Sequence, residues 1–76
     1  MQLKQEEKEM TELSFAEQIT GYKDDLNYTD REIAVLLDVS IPTVTRWRKG
    51  ITTPMRPMRL FLLNVLAGEV MKQETP

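Results

Sequence analysis

The stretch from Ile41 to Arg59 carries five basic side chains, Arg46, Arg48, Lys49, Arg56 and Arg59, and no acidic one. Guanidinium and ammonium groups gathered in this way donate hydrogen bonds to anionic oxygens, and a polyanion is the ligand that engages several of them at once. The remainder of the chain opposes that charge. Residues 1–38 hold four basic and ten acidic side chains, net -6, whereas residues 39–76 hold six basic and two acidic, net +4. Salt screens exposed charges beyond about 8–10 Å. A local positive surface therefore acts on a nearby ligand in spite of the overall charge of -2 and the pI of about 5.0.

Other chemistries lack their parts. There is no cysteine and no histidine, so thiolate metal sites, disulfides and the commonest general base are absent. Ser14 and Ser40 are the only serines, neither has a candidate base beside it, and no glycine-rich phosphate loop occurs. These residues predict no enzyme and no cofactor. Asp24-Asp25 reads as a solvated acidic pair rather than a cation site. The cysteine-free composition fits a reduced, cytoplasmic setting. The segment MQLKQEEKEM lacks the apolar centre of a signal peptide, and no apolar run approaches the length of about 20 residues that spans a bilayer.

Seventy-six residues, 41% of them apolar, suffice for one small core. Residues 1–13, rich in Glu, Lys and Gln, read as a charged arm or frayed helix, residues 14–72 as the folded domain, and residues 73–76 as a tail. Ser14-Phe15-Ala16-Glu17 has the form of a capping box, and Phe15, Ile19, Tyr22 and Leu26 follow it at helical spacing. Thr29-Asp30-Arg31-Glu32 is a second box, opening a helix of about two turns whose inward side is Ile33, Ala34, Leu36 and Leu37. Asp38-Val39-Ser40 then forms a tight turn, with Ser40 as N-cap and Pro42 in the first turn, where its missing N–H costs nothing. Arg48-Lys49-Gly50 stops that third helix, basic groups facing its negative end and glycine following. Two prolines make Ile51–Pro57 a loop. A last helix runs from about Pro57 to Met71. Its apolar residues fall in two sectors, Met58, Phe61, Leu62 and Val65 on one side and Leu60, Leu63, Leu66, Ala67, Val70 and Met71 on the other.

The segment TDREIAVLLDVSIPTVTRWRKGITTP, Thr29 to Pro54, resembles the phage repressor and Cro-type (XRE-like) helix-turn-helix family. The matching pieces are the Thr cap, Ala34 at the closest approach of two helices, the L-x-V-S turn and the T-V-x-R-W-x-x-G ending. The resemblance implies an all-α fold of four to five short helices around a central helix-turn-helix, a lambda-repressor-like DNA-binding domain. It also implies that the helix Ile41 to Lys49 enters the DNA major groove. Position by position it makes Ser40, Ile41, Pro42, Thr45 and Arg46 base-facing, with Thr43, Arg48, Lys49, Arg56 and Arg59 at the backbone. The helical wheel agrees: Val44 and Trp47 share one side of this helix, and Ile41, Pro42, Thr45, Arg46 and Lys49 the other. Two positions depart from the family. Asp38 stands where glycine is usual, and Asp30 where glutamine often donates to a phosphate, so its carboxylate is expected to repel one.

The apolar excess of the last helix predicts burial against a partner, with Met58, Phe61, Leu62 and Val65 at a two-fold homodimer contact. A dimer reads two half-sites about 34 Å apart, so the expected ligand is an inverted-repeat operator and the expected role a repressor. A reading from another class takes the acidic N-terminal half as the contact surface of a protein-binding module or DNA mimic.

Overall fold

Three hydroxyl side chains open three helices. In the computed structural model, which describes residues 13–74, the helices are α1 (Phe15–Leu26), α2 (Asp30–Leu37), α3 (Ile41–Arg48) and α4 (Arg56–Glu74), and no strand occurs among the described residues. Ser14 and Thr29 form complete capping boxes. The Glu17 amide donates to Ser14 Oγ at 3.1 Å and the Ser14 amide to Glu17 Oε1 at 3.0 Å; the Glu32 amide donates to Thr29 Oγ1 at 3.1 Å and the Thr29 amide to Glu32 Oε1 at 2.8 Å. Ser40 caps α3 alone, accepting from the Thr43 amide at 3.3 Å, with its hydroxyl 2.7 Å from that of Thr43.

The same three helices end alike. Asn27, Asp38 and Gly50 lie in the left-handed region, at φ 59°, 60° and 75°. At each, the following amide reaches back to the carbonyl five residues earlier: Tyr28 to Lys23 at 3.1 Å, Val39 to Ala34 at 3.0 Å, Ile51 to Arg46 at 2.9 Å. This pairing satisfies carbonyls that a helix end leaves open and turns the chain sharply. It lets α1 pass to α2, and α2 to α3, across three residues each.

The turns fold α1 onto both α3 and α4, and α2 onto α3. The core is Phe15, Ile19 and Leu26 from α1, Ile33, Ala34 and Leu37 from α2, Val44 and Trp47 from α3, and Leu62 and Leu66 from α4. Burying each large apolar side chain contributes about 1.5–3 kcal/mol before chain entropy is set against it. Trp47 anchors α3 as expected, meeting Phe15 edge to face with ring centroids 5.5 Å apart. Ala34 is buried in the core, and Val39 packs against it from the turn between α2 and α3.

Some boundaries differ from expectation. Lys49 caps α3 rather than belonging to it. Helix α4 starts at Arg56 and continues through Glu74, so two residues expected in the tail are helical. The extension has a tertiary partner: Tyr28 Oη donates to Glu69 Oε2 at 2.9 Å and accepts from Gln73 Nε2 at 3.1 Å, tying the last turns of α4 to the α1–α2 turn. Glu69 accordingly raises the Tyr28 phenol pKa above its ordinary value. The predicted arm, apart from Leu13, and residues 75–76 lie outside the described residues. Among the described residues no helix is long and apolar enough to cross a membrane.

Candidate nucleic-acid interface

With Val44 and Trp47 turned into the core, α3 presents its other side outward. Ser40, Ile41, Pro42, Arg46 and Lys49 are all exposed. Ile41 keeps 42% of its surface open at the helix start. The first turn of α3 holds no acid, and Arg46 and Lys49 have no acidic partner among the described residues. Four of the five expected base-facing residues thus share one open face.

Thr45, the fifth, is placed differently. It is half-buried, and its hydroxyl donates to Asp30 Oδ2 at 2.9 Å, with the Ile41 carbonyl a second acceptor at 3.2 Å. A hydroxyl carries one proton, so a Thr45 donating to Asp30 has none for a base edge. Arg48, expected at the DNA backbone, is committed to the same carboxylate. Its Nε donates to Asp30 Oδ1 and its Nη2 to Asp30 Oδ2, both at 2.6 Å. The fork joins the first residue of α2 to the last of α3, and both side chains are about three-quarters or more shielded from solvent.

This geometry changes the part played by Asp30. The hydrogen bonds from Arg48 hold its carboxyl below the ordinary carboxylate range; partial burial opposes them, and Thr45 adds to them. Asp30 in turn raises the Arg48 pKa. The charge expected to repel a phosphate is neutralised in place, and the start of α2 supplies a favourable dipole for it as well. The signal for this pairing lay in the sequence as an acid at the head of one helix with a hydroxyl and a guanidinium three apart on the next. Only the angle between α2 and α3 brings them together.

The remaining cations are sorted by position. Lys49 stands at the end of α3. Arg56 and Arg59 line a groove between the start of α1 and the start of α4, where Arg59 Nη1 lies 3.5 Å from the Pro54 carbonyl. Both clusters adjoin the first turn of α1. Phe15 lines the groove and packs on Trp47, while a methyl group placed on Gly50 would sit 3.9 Å from that of Ala16.

On α4 the two expected apolar sectors are cut by the core. Leu62 is buried, 2% exposed, and Leu66 fully so; Leu63 and Val70 pack beside them. Leu62 is therefore corrected from the proposed partner contact to the core of one copy, because α1 covers that side of the helix. Met58 and Phe61 stay 51% and 62% exposed and Val65 is half-buried at the edge of the core. Leu60 and Met71, on the opposite flank, are exposed too, features that the expected contact did not include.

Comparison of the chain with protein-family models, with curated proteins and with solved structures returns no match.

Proposed function

We propose that this chain is a sequence-specific, double-stranded DNA-binding regulator of transcription, acting in the cytoplasm as a homodimeric repressor on an inverted-repeat operator. The observation that carries the reading is the open, acid-free face of α3, set beside an Asp30 whose charge is met within the protein. Its N-terminal part, Ser40, Ile41 and Pro42, offers small and apolar contacts, Ile41 suiting a thymine methyl group. Arg46 is the sequence reader, its guanidinium matching guanine O6 and N7. Lys49, Thr43, Arg56 and Arg59 hold phosphates and set register. Arg48 and Thr45 act one step back, fixing the angle of α3 through Asp30.

Dimerisation through the exposed part of α4, centred on Met58, Phe61 and Val65, supplies the second half-site. The resemblance to phage repressors extends the proposal to a small autoregulatory protein of a phage or mobile element.

Selection of bound sequences from a random duplex library, with the solution mass determined on the same preparation, tests the reading. An enriched inverted repeat together with a dimeric mass supports it. Absence of any enrichment at low salt overturns it and transfers the weight to a protein-binding module presenting its acidic N-terminal half.

A further inference from the structure

The groove between the start of α1 and the start of α4 has a volume of about 740 Å³, within the range of about 300–1,000 Å³ that small-molecule sites occupy. One part of its lining is aliphatic, from Leu13, Leu60 and Leu63, and the other carries the guanidinium groups of Arg56 and Arg59. Leu60 keeps 54% of its surface open although Leu63 beside it packs against the core. Among the described residues none that lines the groove is acidic, and neither arginine has an ion-pair partner. Glu17, the acid of the first turn of α1, is engaged in the capping box with Ser14 and lines a different hollow.

The two parts of the lining complement one kind of ligand. Arg59 makes a single long contact, from Nη1 to the Pro54 carbonyl at 3.5 Å. A guanidinium has five N–H donors, so both arginines retain a fork for a two-oxygen anion. A bare phosphate satisfies the cations and leaves Leu60 in water. A cationic or uncharged amphiphile covers the leucines and leaves the cations unmet. A carboxylate at the end of an aliphatic chain engages both at once.

We propose that this groove binds a free, medium-chain aliphatic monocarboxylate, its head on Arg56 and Arg59 and its chain along Leu60 and Leu63. A bound carboxylate withholds both arginines from phosphate, so the ligand acts as an inducer that lowers affinity for DNA. That consequence rests on the DNA-binding reading; the site itself does not.

Decanoate, titrated into the full chain below the concentration at which it forms micelles, is expected to shift the methyl resonances of Leu60 and Leu63 and the Nε–H resonances of Arg56 and Arg59 until they saturate. Val35, exposed on α2, should not move. Octanoate should bind about four- to tenfold more weakly for its two missing methylenes, and acetate and decyltrimethylammonium should give no saturable shift. Arg56→Gln combined with Arg59→Gln should weaken decanoate binding about tenfold or more, with the amide spectrum of the folded domain unchanged. Equal binding of acetate or of the decyl cation, shifts that reach Val35 alike, or shifts that appear only with micelles would overturn the site. Saturating decanoate should also weaken binding of a random-sequence duplex about three- to tenfold and reduce its salt slope by about 1–2, an effect absent from the two-Gln chain. Duplex affinity that is indifferent to bound decanoate overturns the inducer role. Absence of duplex binding with or without decanoate, while the groove resonances still shift, instead overturns the DNA-binding reading and leaves the site standing.

Discussion

Asp30 and Arg48 form a two-pronged ion pair, each oxygen of the carboxylate receiving one guanidinium hydrogen bond at 2.6 Å, and through it the beginning of α2 is fastened to the end of α3. No other salt bridge among the described residues links two helices, the remaining one being Lys72–Glu69 within α4. Charge-assisted bonds of this kind contribute about 1.5–3 kcal/mol when shielded, discounted to about 1 kcal/mol for a pair that still meets water. Asp30→Asn should therefore lower Tm by about 4–8 °C. The pH dependence follows from the lowered Asp30 pKa. The unfolded chain binds the proton more readily, so the pair stabilises fully above the ordinary carboxylate value near 4 and fades as pH falls through the lower folded value. Urea midpoints of the native chain and Asp30→Asn should differ by a constant amount from pH 7 to about pH 5 and converge in acid. A gap that persists at the lowest pH would show that the pair contributes nothing through its charge.

Arg46 and Lys49 share the open face of α3 but are assigned different tasks. Arg46→Ala should flatten preference at one base pair of each half-site, a loss of about 1–3 kcal/mol in discrimination. Lys49→Ala should weaken all duplexes alike and reduce the salt slope by about 1. Affinities for the selected operator and its single-base variants, measured across a salt series, separate the two; equal effects on every sequence would remove Arg46 as the reader.

On α4, neighbouring positions should behave in opposite ways. Phe61 is exposed and Leu62 is not. Phe61→Glu is expected to leave helicity and Tm nearly unchanged while reducing the sedimenting mass to that of one chain. Leu62→Ala removes core atoms and should cost about 2–5 kcal/mol, a large share of what a domain this small possesses. A dimeric Phe61→Glu protein would place the two-fold contact elsewhere.

Asp38 occupies a left-handed conformation that glycine enters without steric cost. Asp38→Gly should stabilise by a few tenths to about 1 kcal/mol, the relief of side-chain crowding outweighing the extra freedom of the unfolded chain. Asp38→Val, branched at Cβ, should lose about 1–2 kcal/mol. Chemical denaturation of the three proteins orders them Gly, Asp, Val from most to least stable; an Asp38 chain more stable than Asp38→Gly would mean that the Asp38 side chain contributes more than its backbone strain costs.

Tyr28 explains why α4 outlasts its apolar pattern. With its hydroxyl removed in Tyr28→Phe, Glu69 and Gln73 lose their shared partner. Amide exchange over residues 70–74 should then quicken relative to the centre of α4, which Leu62 and Leu66 still hold.

The helix starts and stops were legible because they are local. A hydroxyl three residues before a glutamate satisfies two backbone donors within one turn, and Asn27, Asp38 and Gly50 each end a helix by their own backbone conformation. Trp47 and Val44 could be assigned to the core from periodicity alone, since a face repeating every three to four residues has only one side to bury. By difference, Ile41, Pro42, Arg46 and Lys49 were legible as outward too, whereas Thr45, on the same side of the wheel, is half-buried, and Ser40 entered the set only through the family resemblance.

What required the tertiary structure were the contacts between elements distant in the chain. Asp30 and Arg48 are 18 residues apart, and Tyr28 and Gln73 are 45 apart. Whether a charge is free or paired depends on interhelical angle, which no spacing rule encodes. For the same reason Thr45 and Arg48 turned from expected ligand contacts into supports of α3. Leu62 moved from the expected interface to the core, because an almost wholly apolar helix does not itself declare which side its neighbour will cover. By itself the sequence determined an all-α chain of four to five helices, the caps of the first three described and most of the outward side of α3; the angle between α2 and α3 decided which cations remain open, and packing of α1 against α4 decided which face of α4 is left uncovered.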